Sequence, residues 1–184
     1  MTYRIEPAAE RFSDLEDLFG TSGAFSGCWC MWNRQTNVEF QEQNYETNRG
    51  LLRTNLAEGH ELGILAYDGN TPVGWAALAP RAEYSRLARS PVTKPVDGTD
   101  VWSVTCFVVR KEHRGRGVAS ALLEGAEQRA RALGAAVLEG YPVAPDGELV
   151  DTDAWHGLES MFVNAGFTEV ARRKPRRPMY RKTL

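Results

Sequence analysis

Histidine, cysteine and long apolar runs are all scarce in this chain, and each scarcity excludes a class of function. There are 3 histidines and 3 cysteines in 184 residues. His60, His113 and His156 stand apart, without the spacing that metal ligands keep, so no metal is expected. Cys28, Cys30 and Cys106 are too few for a disulfide framework. Cys28-Trp29-Cys30 has the spacing of neither a zinc knuckle nor a redox pair; core packing is its expected role, and the wall of a pocket for an apolar or aromatic molecule is the alternative. Free thiols suit a reducing compartment. No stretch approaches the ~18 apolar residues of a membrane span. The start Met1-Thr2-Tyr3-Arg4 lacks the apolar run of a signal peptide, and a cytoplasmic location is expected. Lys+Arg number 22 against 24 Asp+Glu, so a net charge of −2 supplies no field for nucleic acid or a membrane surface.

What the chain does have is a glycine-rich bend, His113-Arg114-Gly115-Arg116-Gly117-Val118-Ala119, between a strand-like run and a helical one. Orphan N–H groups and the macrodipole make a helix start a ready anion site. Gly115 and Gly117 let the backbone approach a diphosphate closely, and Arg114 and Arg116 bring charge to the same spot. No Lys-Ser or Lys-Thr pair follows, which excludes a P-loop. Ser120 stands where a dinucleotide fingerprint would place its third glycine. What remains is [RQ]-x-x-G-x-[GA], carried by Arg114, Gly117 and Ala119.

At this motif the chain resembles the GNAT acyltransferase superfamily. The likeness runs from Val101 to about Arg173: Val101–Val109 resembles the family's fourth strand, Val118–Leu133 its pyrophosphate-binding helix and Ala135–Tyr141 its fifth strand. Leu158–Phe167, with Gly166-Phe167, resembles the next helix and the start of the strand after it. The resemblance implies one α/β (α+β) domain over residues 1–184, a mixed, mostly antiparallel sheet of about six to seven strands flanked by about four helices. A coenzyme core would cover 101–141. Residues 8–58 and loops 80–100 and 142–157 would face the acceptor.

The resemblance also implies acetyl-coenzyme A as co-substrate and a primary amine of a small molecule or peptide as acceptor, joined by direct attack in a ternary complex. Backbone N–H groups of Arg114, Gly115, Arg116, Gly117, Val118 and Ala119 would hold the pyrophosphate, with Ser120 adding a hydroxyl. The backbone of Phe107, Val108 and Val109 would bond the pantetheine, and Val109 N–H would polarise the thioester carbonyl. A homodimer rests on the resemblance alone.

Amine attack needs proton transfer, because an alkyl ammonium with a pKa of ~10.4 is about one part in a thousand free base at neutral pH. Glu139, Asp100, Ser103 and Glu83 are the candidates for base or water-positioning group. In the family a tyrosine four residues before the Gly of the Gly-Phe pair protonates the leaving thiolate. Here that position is Phe162, and Tyr141, then His156, are the substitutes. Two other readings stand beside the transferase. Phe162 favours a coenzyme A-binding sensor or silent domain. Seven basic residues between Arg172 and Lys182 could serve a nucleic-acid module, although a solvated hairpin turn is the expectation and nucleic acid is not the expected partner.

Pattern and punctuation predict the elements. Tyr3–Glu6 reads as a strand, and Pro7 as the start of a helix carrying Phe12, Leu15 and Leu18. A polar stretch precedes a helix over Asn44–Leu56. Glu61–Tyr67 and Val73–Ala79 read as a hairpin closed at Asp68-Gly69-Asn70. In the helix from Val118, the residues Leu122, Ala126, Ala130 and Leu133 continue an apolar stripe, and Glu127 and Arg131 are expected to pair on its outer face. Thr168–Arg172 and Met179–Lys182 are the last two strands.

Overall fold

The computed structural model describes residues 2–146 and 154–184. Strand β1 is Arg4–Pro7, followed by helices α1 (Phe12–Phe19), α2 (Asn37–Glu42) and α3 (Tyr45–Ala57). The hairpin β2 (Gly63–Asp68) and β3 (Thr71–Pro80) comes next, then α4 (Ser85–Arg89). β4 (Trp102–Val109), α5 (Val118–Ala132) and β5 (Val137–Gly140) form the central unit. α6 (Glu159–Asn164), β6 (Thr168–Arg172) and β7 (Pro178–Thr183) complete the chain. The seven strands make one sheet in the order β1-β2-β3-β4-β5-β7-β6, antiparallel throughout except for the parallel β4–β5 pair. The fold class is the expected one.

Apolar side chains on both faces explain why the sheet is covered twice. Ile64, Ala66, Val104 and Phe107 pack against Val118, Leu122, Leu123 and Ala126 of α5. Leu65, Trp75 and Ala77 point the other way, into Leu15 of α1, Leu52 of α3, and Trp29 and Met31. Each fully buried Leu or Phe contributes roughly 1.5–3 kcal/mol. Cys28, Trp29, Cys30 and Met31 are buried here, and Trp75 donates its indole N–H to Cys30 Sγ at 3.1 Å. Trp29 (φ 43°) and Cys30 (φ 56°) take the left-handed backbone that side chains disfavour. Burying the Trp29 indole at 1 % exposure is what offsets that strain.

The structure corrects several local expectations. Pro7 does not start a helix. It pairs with Ile64, and Ala8 N–H donates to Gly63 O at 3.0 Å, so sheet bonding carries the chain past the proline and α1 begins only at Phe12. Two short helices lie in stretches read as polar or loop. α2 has a capping box, with Thr36 Oγ1 accepting from Glu39 N–H and Glu39 accepting from Thr36 N–H, while α4 falls inside the loop 80–100. Glu127 does not pair with Arg131. It is buried and accepts from Lys182 Nζ at 2.6 Å, because α5 lays that side against β7. Leu133 is exposed, lying beyond the last helical turn.

Part of the loop 142–157, residues 147–153, lies outside the described residues. The basic run at the C-terminus forms the β6–β7 hairpin, and much of it is committed internally. Arg172 pairs with Glu159 and Glu169, Arg173 donates to the carbonyls of Val92, Lys94 and Pro95, and Arg181 pairs with Asp97 and Glu139. Hydrogen bonding to Arg181 pulls the Asp97 carboxyl down to about 2.

Gly125 marks the closest approach of α5 to β1. A Cβ there would lie 2.6 Å from Ile5 Cγ2 and 3.3 Å from Ile5 Cβ. In an exposed helix Gly→Ala gains about 1 kcal/mol. Here overpacking, at about 1–3 kcal/mol, outweighs it, because the atoms met sit close to the strand backbone. Gly125→Ala should therefore lower stability by about 1 kcal/mol in urea unfolding, and a rise in midpoint would contradict this packing.

Candidate active site

Strands β4 and β5 pair over only three positions, Trp102–Leu138, Ser103–Glu139 and Val104–Gly140, and then part. β5 ends at Gly140 while β4 runs on to Val109. At the parting point β4 carries a bulge: Cys106 faces Ala77 and Val104 faces Leu78, so Thr105 is an extra residue. Phe162 causes the separation on one side. It is fully buried, and a Cβ on Gly140 would meet its Cε1, so ring and strand occupy adjoining space. Downstream of the bulge, Arg110 N–H donates to Val73 O at 2.9 Å. By antiparallel alternation, the N–H and C=O groups of Val109 and Phe107 face away from β3, toward the gap that β5 leaves.

A cleft of about 460 Å³ fills this gap. Phe107, Val108 and Val109 form one side of it, and Arg114, Gly115, Gly117, Val118, Ala119 and Ser120 form its end. α5 starts at Gly117, whose φ of 83° only glycine adopts without cost, and no side chain caps it. The first bond of the helix runs from Ala121 N–H to Gly117 O at 3.0 Å, which leaves the N–H groups of Val118, Ala119 and Ser120 for a ligand. A Cβ on Gly115 or Gly117 would meet nothing within 4 Å. Both glycines therefore border open space rather than packed protein. Arg116 is exposed and does not line the cleft, and its carbonyl accepts from Tyr3 OH at 3.2 Å. Arg114 donates from Nε to Val109 O at 3.4 Å.

The opposite wall comes from residues the sequence did not single out. Trp155, Gly157, Leu158, Met161 and Asn164 line it, and the Phe25 ring meets Trp155 edge-on at 4.2 Å. His113 lines the cleft too, with Nε2 3.4 Å from Asp68 Oδ2. Only the stretch Leu158–Phe167, with its Gly166-Phe167 pair, hinted at α6.

A second cavity, about 290 Å³, is lined by Thr105, Tyr141, His156 and Arg86 among others. The two cavities share partitions. Thr105 of β4 faces the second and Phe107 the first, and in the segment 155–157 His156 faces the second while Trp155 and Gly157 face the first.

Tyr141 and Glu139 sit together in a buried network beside the second cavity. Tyr141 OH donates to Glu139 Oε1 at 2.6 Å, accepts from Arg81 Nη1 at 2.6 Å, and lies 2.8 Å from Ser103 Oγ. Glu139, fully buried, also pairs with Arg81 and, at 2.7 Å, with Arg181 Nε. Burial, and then the Glu139 charge, push the Tyr141 phenol well above its ordinary value. Glu83 is tied to Arg34 at 2.5 Å, and Asp100 is exposed; neither is among the residues that line these two cavities. Among the described residues, no group of three or more His, Cys, Asp or Glu is arranged to hold a metal, and no helix is long and apolar enough to cross a membrane.

The model of the Acetyltransferase (GNAT) family matches residues 26–145. No curated protein matches the chain. Among solved structures, an acetyltransferase of the GNAT family from Listeria monocytogenes is 13% identical with a TM-score of 0.57, covering 99% of this chain and 95% of that one. Ribosomal-protein-alanine N-acetyltransferase from Brucella melitensis is 16% identical with a TM-score of 0.56, covering 98% and 99%. PaiA N-acetyltransferase from Thermoplasma acidophilum, in complex with coenzyme A, is 14% identical with a TM-score of 0.52, covering 100% of both chains. At these identities the likeness is one of fold.

Proposed function

Because the chain belongs to the GNAT acetyltransferase family, we propose that it transfers an acetyl group from acetyl-coenzyme A to a primary amine, with both substrates bound at once. The observation that carries this reading is the cradle at α5: unbonded N–H groups behind two glycines that border open space. The diphosphate sits there, favoured by the helix dipole and Arg114. The pantetheine runs along the free edge of β4, bonding Phe107 and Val109 as an added strand would. Its thioester carbonyl accepts from Val109 N–H.

The amine enters by the second cavity and meets the thioester at the shared partition. The nitrogen attacks the carbonyl carbon as the free base, and His156 takes the proton that this nitrogen sheds from the tetrahedral adduct. The C–S bond then breaks, and the thiolate, with an ordinary pKa of ~8.5, takes a proton from water. Tyr141 and Glu139 serve as positioning residues. The phenol's proton is directed at Glu139 and burial holds it there, which shapes the cavity wall beside Thr105.

The test is release of free thiol from acetyl-coenzyme A with a panel of amines, matched by acetylated product in mass spectrometry. Tight coenzyme binding without thiol release to any amine would favour the sensor reading that Phe162 prompts. Val109→Pro probes the carbonyl contact. Val109 N–H lies outside the β3 ladder, so proline removes it without breaking a sheet bond. Loss of one such donor costs about 10²–10³ in kcat. We expect that fall at near-constant KM for acetyl-coenzyme A, and an unchanged kcat would remove Val109 from the chemistry.

A further inference from the structure

The fold adds a third thiol to Cys28 and Cys30. Cys106 of β4 stands opposite Ala77 of β3. Ala77 shares a sheet face with Trp75, whose indole N–H donates to Cys30 Sγ at 3.1 Å. Cys106 and Cys30 thus meet in the layer that α1 and α3 cover. The Cys30 thiol is within hydrogen-bonding reach of Cys106 on one side and Cys28 on the other. All three are free thiols; Cys28 and Cys30 are buried and Cys106 is half-buried.

Cys28 is the member placed to ionise. Its sulfur accepts from the Cys30 thiol and from the main-chain N–H groups of Cys30, Phe25 and Cys28 itself. The left-handed backbone of Trp29 and Cys30 is the turn that brings the Cys30 N–H onto it. These bonds, that of the Cys30 thiol foremost, hold the Cys28 thiol well below its ordinary value against the opposing effect of burial. Cys30 is pushed the other way by its bonds to Cys106 and Cys28 and by burial. Core packing accounts for the burial of Trp29 and Met31, but it does not call for a stabilised sulfur anion in contact with a chain of thiols.

We infer that Cys28, Cys30 and Cys106 form a relay that peroxides oxidise, with a Cys30–Cys106 disulfide as its end product. The Cys28 thiolate attacks one oxygen of hydrogen peroxide; the O–O bond breaks, an S–O bond forms, and hydroxide leaves. Cys30 then attacks the sulfenic sulfur. An S–S bond replaces the S–O bond, and the second hydroxide departs with the Cys30 proton as water. Cys106 attacks the Cys30 sulfur, the Cys28 thiolate leaves, and the Cys106 proton neutralises the first hydroxide. Cys28 is the sulfur expelled because the better-stabilised thiolate leaves faster. Two thiols and one peroxide become one disulfide and two waters. Cys106 directly precedes Phe107, so the new bond ties the strand that borders the first cleft to the segment bearing Cys30. The relay stands independently of the transferase reading.

The probe is hydrogen peroxide, one equivalent added to the reduced full chain at pH 7. Remaining thiols are blocked with N-ethylmaleimide, and tryptic peptides are read by mass spectrometry. Cleavage after Arg11 and Arg34 keeps Cys28 and Cys30 on one peptide, and cleavage after Arg89 and Arg110 puts Cys106 on another. The two peptides should be joined, with the maleimide on Cys28. Cys106→Ser should stop at a Cys28–Cys30 disulfide, and Cys30→Ser at a Cys28 sulfenic acid that dimedone traps. Cys28→Ser should slow thiol loss by about tenfold or more, because an ordinary thiol is only a few per cent thiolate at pH 7. Circular dichroism reports whether each variant is folded. If Cys28→Ser fails to fold, early samples of the unaltered protein decide, since dimedone must mark Cys28 first. Thiols that outlast free cysteine in the same solution, a first modification at Cys106, or peptides joined as fast in Cys28→Ser would each overturn the inference. So would a disulfide between two chains in place of the internal one.

Discussion

Gly117→Asp raises the dissociation constant for coenzyme A by at least about a hundredfold in a protein that stays folded. Both halves of that expectation follow from the position. The φ of 83° is one that Asp tolerates better than most side chains, and no packed atom lies within 4 Å of the new Cβ. The left-handed backbone costs the Asp on the order of 1 kcal/mol, which a domain of ordinary stability absorbs. The carboxylate, however, enters the space the diphosphate needs. Two unit charges 4 Å apart repel by about 4 kcal/mol at an effective dielectric of 20, which is near a thousandfold, and salt screening reduces it. Calorimetry measures the constant, and circular dichroism confirms the fold. An unchanged constant would remove α5 from coenzyme binding.

Glu139→Ala lowers stability by about 3–5 kcal/mol, the cost of stripping one partner from a buried ion pair. The side chain is fully buried between Arg81 and Arg181 and accepts the Tyr141 proton. Its loss leaves Arg81 and Arg181 without that counter-charge at the centre of the sheet. For a chain of this size 1 kcal/mol moves the melting temperature by about 2–4 °C, so a drop on the order of 10 °C is expected in calorimetric scans. A general base on the cavity surface would instead lose rate with little change in melting. A full-strength melting curve with lost turnover would return Glu139 to proton transfer.

Where contacts are local, the sequence was readable. The strand over 101–109, the stripe of α5 from Val118 and the strand Thr168–Arg172 appear as expected, since period and punctuation act within a few residues. Gly69 and Asn70 close the hairpin. α2 had a local signal that was missed, Thr36-x-x-Glu39, overshadowed by its polar surroundings. What failed were partners distant in the chain. Glu127 finds Lys182 rather than Arg131, and Pro7 finds Ile64 rather than a helical turn. The site divides in the same way. The glycine bend and the end of β4 were legible because backbone geometry alone makes them an anion and amide surface. The far wall around Trp155 and the cavity bearing Arg86 come from tertiary approach of segments that carry no motif.

Thr105 has a consequence that reaches along its whole strand. Side chains alternate faces with a strict period of two, and one inserted residue reverses the phase of everything beyond it. Val104 and Phe107 share the α5 face, although three positions apart, while Cys106 and Val108 turn to the opposite layer. Were Thr105 held in regular alternation instead of bulged out, the second half of β4 would invert, turning Phe107 out of its aromatic nest and Val109 toward the α1 layer. One residue thus lets a single ribbon serve two masters, a polar chamber at its beginning and an oily trench at its end, and each half can be recoded by mutation without reversing the other.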